Sequence, residues 1–114
     1  MSAIFVELPA FERHREIYLT DDDFRQLQSV LLENPMAGCV MEGTGGLRKL
    51  RFADSRRGKG ARGGLRVIFY YWIGGPEFWL VTLYDKDEAT DLTPKQRDTL
   101  KALIKAELQA RRGP

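Results

Sequence analysis

Residues 65–84 read LRVIFYYWIGGPEFWLVTLY. Leu65 to Ile73 is β-branched and aromatic almost throughout, the composition of a buried strand. Gly74-Gly75-Pro76 is a turn, and Phe78 to Tyr84 is a second strand, so the stretch predicts a β-hairpin. Both strands are apolar on both faces, which predicts a sheet covered at least partly on each side. Side chains alternate across a strand. Arg66 therefore lies with Ile68, Tyr70 and Trp72, while Leu65, Val67, Phe69 and Tyr71 take the opposite face.

Upstream, Leu47 to Phe52 (LRKLRF) predicts another strand. Lys49 and Arg51 share one face, and Arg48 lies with Leu50 and Phe52 on the other. Two cations on one face are costly in a core, so that face is expected to be open. Pairing of this strand with 65–73 would bring Arg66 beside Lys49 and Arg51. Residues 54–64 (DSRRGKGARGG) form a basic glycine-rich loop between them, and Tyr84 and Lys86 leave the end of the last strand.

Ser2 to Leu8 predicts a first strand, and Ala10 to Leu19 a short helix introduced by Pro9. A second helix runs from Asp21 to Glu33. Thr20-Asp21-Asp22-Asp23 resembles a capping box, and Phe24, Leu27, Val30 and Leu31 fall at core spacing. Asn34-Pro35 stops it. Residues 36–46 are a connector ending in Gly43-Thr44-Gly45-Gly46. Thr93, Pro94 and Gln96 open a final helix whose buried stripe is Leu100, Leu103, Ile104 and Leu108. The order β-α-α-β-β-β-α predicts one α+β domain over residues 1–114, with a small, antiparallel-rich sheet.

Charge is unevenly placed. The chain has 114 residues and a net charge of +2. Residues 1–44 hold 3 basic and 8 acidic side chains, and residues 67–114 hold 7 of each. Residues 45–66 hold 8 cations against one acid, Asp54. A local basic cluster in a near-neutral chain points to a polyanion site on one surface; its bland counterpart is a solvated basic loop. No apolar run is long enough to span a membrane. The N-terminus lacks the apolar core of a signal peptide, so a cytoplasmic location is expected. One cysteine, Cys39, and one histidine, His14, exclude an internal disulfide framework and a multi-cysteine zinc site.

Other candidate centres are weaker. His14 sits on a helix far along the chain from the cations. Cys39 has no evident histidine partner. The 43–46 glycine run lacks the lysine of a phosphate loop and precedes a strand, so it reads as a turn. Asp85, Asp87, Glu88 and Asp91 match no metal-ligand spacing, and Trp72 and Trp79 read as core or partner contacts.

The runs GTGGLRKLRFA (43–53), GGLRVIFYYW (63–72) and LVTLYDKDEATDLTPKQ (80–96), with the Gly/Lys/Arg loop between the first two, resemble the HigB/RelE superfamily of bacterial type II toxins. The resemblance covers nearly the whole chain and the order of its elements. It implies a RelE-like, microbial-ribonuclease-type fold. It also implies an mRNA interferase, a ribosome-dependent endoribonuclease that uses no metal or other cofactor. The implied partners are the ribosome, mRNA and a HigA-like helix-turn-helix antitoxin. In this family the ribose 2′-OH attacks the adjacent phosphate and releases a 5′-OH product, which needs a base, an acid and a cationic cradle.

By position, Arg66 matches the family's phosphate-stabilising arginine. Lys49 and Arg51 match basic positions that ground mRNA and, in some members, move protons. Lys86 falls near a strand-end position held by Arg, His or Lys, and Tyr84 offers a stacking ring or a phenol beside it. Arg48, Arg56, Arg57, Lys59 and Arg62 are the expected RNA or ribosome contacts. The chain departs from the pattern at Asp87, where some members carry a second arginine or a histidine. Two other readings stand beside this one: a non-catalytic RNA- or ribosome-binding module, and a protein-interaction domain whose basic strip receives an acidic partner.

Overall fold

The computed structural model describes residues 3–55, 64–72, 74, 76–87 and 93–112. Along the chain it places β1 (Ile4–Glu7), α1 (Pro9–Tyr18), α2 (Asp21–Glu33), β2 (Cys39–Val40), β3 (Arg48–Phe52), β4 (Leu65–Trp72), β5 (Glu77–Asp85) and α3 (Pro94–Arg112). The strands form one five-stranded sheet in the order β1-β5-β4-β3-β2. β1 is an edge strand parallel to β5, and the remaining pairs are antiparallel. The architecture is α+β with a mixed sheet and three helices. Among the described residues, no helix is long and apolar enough to cross a membrane.

The helix ends follow their local chemistry. α1 starts at Pro9, one residue before the expected start, because a fixed φ and a missing N–H suit the first helical position. The α2 capping box forms: Asp23 N–H donates to the Thr20 hydroxyl, and Thr20 N–H donates to the Asp23 carboxylate, both at 3.0 Å. At α3, Gln96 N–H donates to the Thr93 hydroxyl at 3.1 Å and Thr93 N–H to the Gln96 side-chain oxygen at 2.8 Å.

Each face of the sheet has its own core. On one, Phe11, Tyr18, Leu27 and Leu31 of α1 and α2 pack on Leu65, Val67, Phe69, Phe78, Leu80 and Leu83. On the other, Ile104 of α3 meets Met41, Leu47, Ile68, Trp79, Val81 and Tyr84, with Leu100 and Leu108 beside it. Coverage on both sides, as the all-apolar hairpin predicts, is thus present. Two expected core positions are not buried: Val30 is 38% and Leu103 46% exposed.

Two features depart from the sequence reading. Within the 36–46 connector, Cys39 and Val40 pair with Lys49 and Arg48, adding the short strand β2. Gly38 makes this approach possible. Its φ is +77°, and a Cβ there would stand 2.3 Å from the Lys49 carbonyl oxygen, so only glycine fits. The following turn is closed by buried Thr44, whose hydroxyl donates to Met41 O and accepts from Leu47 N–H at 3.1 Å.

The second departure is a β-bulge. Ile68 pairs with Thr82 but Phe69 pairs with Leu80, leaving Val81 as the extra residue of β5. A bulge resets the two-residue alternation. Trp79, Val81 and Tyr84 consequently face α3, while Leu80 and Leu83 face α1 and α2. Strict alternation from Trp79 would have turned Tyr84 to the opposite side.

Candidate nucleic-acid interface

The expected basic face assembles from three adjacent strands. Arg51 of β3 pairs with Arg66 of β4, and Arg66 pairs with Tyr84 of β5. The next row along the strands is Cys39, Lys49, Ile68 and Thr82. Directly paired residues carry their Cβ atoms about 5 Å apart on one face. Arg66 therefore stands between a second guanidinium and an aromatic ring, with Lys49 a diagonal neighbour. Arg51 is exposed, and Lys49 and Arg66 are half-buried. One terminal guanidinium nitrogen of Arg66 donates to the Leu65 carbonyl at 3.2 Å, which holds the guanidinium close to its own strand.

Like charges directly opposite one another are unfavourable in a free sheet. A bound anion relieves that repulsion, and guanidinium groups meet phosphate oxygens two at a time. The row is thus chemically suited to hold a phosphodiester and to stabilise extra negative charge on it. Tyr84 is 8% exposed and packs with the α3 core, so it forms a wall of this face more than an open stacking platform.

Lys86 lies one residue beyond β5. Its backbone N–H points to Gly64 O at 3.4 Å, which joins the end of the basic loop to the end of β5. Asp87 N–H donates to the Asp85 carboxylate at 2.8 Å and turns the chain there. Asp85 itself is fully buried opposite Leu65, on the α1–α2 side.

Arg48 does not join the row. Alternation puts it on the opposite face, where its guanidinium donates to the carbonyls of Met36 at 2.6 Å, Gly38 at 3.0 Å and Ala37 at 3.1 Å. It straps the connector to β3. Arg56, Arg57, Lys59 and Arg62 lie outside the described residues.

His14 acquires a neighbourhood that its position in the chain conceals. Its Nδ1 lies 2.9 Å from the Leu83 carbonyl oxygen, so that nitrogen carries the proton and donates. Nothing local in the sequence links residues 69 positions apart. Among the described residues, no group of three or more His, Cys, Asp or Glu side chains is placed to hold a metal ion. No protein-family model matches the chain.

Proposed function

We propose that the chain is the toxin of a type II toxin–antitoxin system, with a RelE-like fold and the activity of a metal-independent, ribosome-dependent endoribonuclease acting on translated mRNA in the cytoplasm. The observation that carries the reading is the cross-strand row Arg51–Arg66–Tyr84 with Lys49 beside it. The resemblance of segments 43–53, 63–72 and 80–96 to the HigB/RelE toxins supplies the reaction.

In that reaction the 2′ oxygen bonds to phosphorus as the bond from phosphorus to the 5′ oxygen breaks. The 2′ proton leaves to a base, and the departing 5′ oxygen takes up a proton, giving a cyclic phosphate and a 5′-OH end. Arg66 and Arg51 stabilise the crowded phosphorane, where charge is greatest and electrostatic help counts most. The resemblance implies proton transfer at the positions of Lys49 and Arg51 in some members, and puts Lys86 near a strand-end position held by Arg, His or Lys. The partners in this reading are the ribosome, mRNA and a HigA-like antitoxin, which must cover the row, insert acids into it or block ribosome entry.

The test is induced expression of wild type and Arg66→Ala with 5′-end mapping of cellular transcripts. Wild type should cut within translated frames, and Arg66→Ala should cut about 10²–10³-fold less, the usual loss on removing an oxyanion-stabilising donor. Full cleavage by folded Arg66→Ala would overturn the assignment. Growth arrest with intact transcripts would instead identify a ribosome-binding module without turnover.

A further inference from the structure

A cleft of about 540 Å³ opens between α1 and α3, on a floor formed by Val81 and Thr82 of β5. Its walls are aliphatic, with Leu8, Leu100 and Leu103 among them. Leu103 is 46% exposed, so the packing of α3 leaves this side chain uncovered. Small-ligand sites measure roughly 300–1,000 Å³ and pair apolar walls with a few polar groups. The cleft meets both conditions.

Its charge is one-sided. Arg13 comes from α1 and Lys95 from α3, and His14 lies between the helices; no described lining residue is Asp or Glu. His14 is tied by its Nδ1 to Leu83 O, so the charge on the walls comes from Arg13 and Lys95. A cation, a neutral polar molecule and an anion are therefore not equivalent here. Two cationic side chains from opposite walls favour a carboxylate, which accepts charge-assisted hydrogen bonds from both. Aliphatic walls favour an alkyl chain over a flat ring.

We propose that this cleft binds a straight-chain alkyl carboxylate, its chain against Leu8, Val81, Leu100 and Leu103 and its carboxylate between Arg13 and Lys95. Lys49, Arg51 and Arg66 do not line the cleft, although Thr82 lies in the cross-strand row of Lys49, and the proposal does not depend on the activity proposed for that face.

The test is a titration of the full chain with sodium decanoate, followed by calorimetry and by amide chemical shifts. Decyltrimethylammonium, with the same tail and opposite charge, is the control. Decanoate should bind saturably at one site, shift Thr82, Thr99 and Leu103, and bind at least 10-fold tighter than the ammonium compound. Leu103→Glu and Lys95→Glu lie at exposed positions, and each should weaken decanoate at least 10-fold with the circular dichroism unchanged. Unsaturable binding, equal affinity for the cationic control, shifts spread through the core around Phe69, or affinity unmoved by both variants would each overturn the proposal. Binding of a protein segment but not decanoate at Leu103 would do so as well.

Discussion

Arg48 and Lys49 are neighbours in sequence with opposite tasks, because one backbone step turns a side chain to the other face of a strand. Arg48 donates to three connector carbonyls. Arg48→Ala removes those hydrogen bonds together, and because the carbonyls are partly open to water the cost should be about 1–2 kcal/mol. Denaturant unfolding measures it. Arg48→Lys should recover little, since an ammonium cannot fork between carbonyls. Lys49→Ala should show the reverse pattern, with stability near that of wild type and weaker RNA binding. If Arg48→Ala leaves stability unchanged but abolishes RNA binding, the strap is not its role. The side of each cation was legible from alternation alone. What Arg48 touches was not, because its partners belong to a connector that has no periodicity to read.

At the scale of elements, the bounds and cap of α2 were legible, since Thr20 and Asp23 are local signals that act locally. Asp23 also reaches further, accepting from the Ser55 hydroxyl at 2.7 Å and so tying the chain just after β3 to the start of α2. Burial pushes this carboxyl up, but hydrogen bonds from the Thr20 backbone, the Ser55 hydroxyl and the Thr20 side chain outweigh it and hold it below the usual value. A carboxyl depressed in the folded state adds stability above its unfolded value that is lost as pH falls through the folded one. Asp23→Ala should cost about 1 kcal/mol at neutral pH. The gap from wild type should narrow below about pH 4, the ordinary aspartate range. Melting both proteins across pH 2–7 checks the sign; a gap that widens in acid contradicts it. β2 and the β5 bulge were not legible. β2 depends on Gly38 approaching the Lys49 backbone, and the bulge depends on a mismatch between β4 and β5. Neither leaves a local pattern, yet the bulge decides that Tyr84 stands beside Arg66. Deleting Val81 should join Leu80 to Thr82 in a regular ladder that keeps Phe69 opposite Leu80 and Tyr84 opposite Arg66, on the α3 side; a crystal structure of the deletion variant with Tyr84 turned toward α1 and α2 would contradict that register.

For the whole molecule, the decisive fact is how little of one sheet face α3 covers. The α1–α2 side holds its apolar residues under two helices, whereas the α3 side leaves Lys49, Arg51 and Arg66 beside the helix. Of the central block's 8 cations, Lys49, Arg51 and Arg66 are therefore displayed together on one sheet face. Binding to single-stranded RNA should weaken with salt, with a log–log slope of about −0.7 for each phosphate neutralised. If Lys49 and Arg51 each meet one phosphate, replacing both with alanine should make the slope shallower by about 1.4. Arg48→Ala, which acts on the other face, should leave it unchanged once folding is confirmed. Fluorescence anisotropy with a labelled, uncleavable oligonucleotide across a salt series measures all three proteins. A slope unaltered by the double substitution would move RNA off this face. No RNA binding at any salt, with salt-sensitive binding of an acidic protein, would favour the interaction-domain reading. The experiment separates contact from chemistry: Arg66→Ala can lose cleavage while losing only one contact's worth of slope, because its main contribution falls in the transition state, which the salt series does not sample.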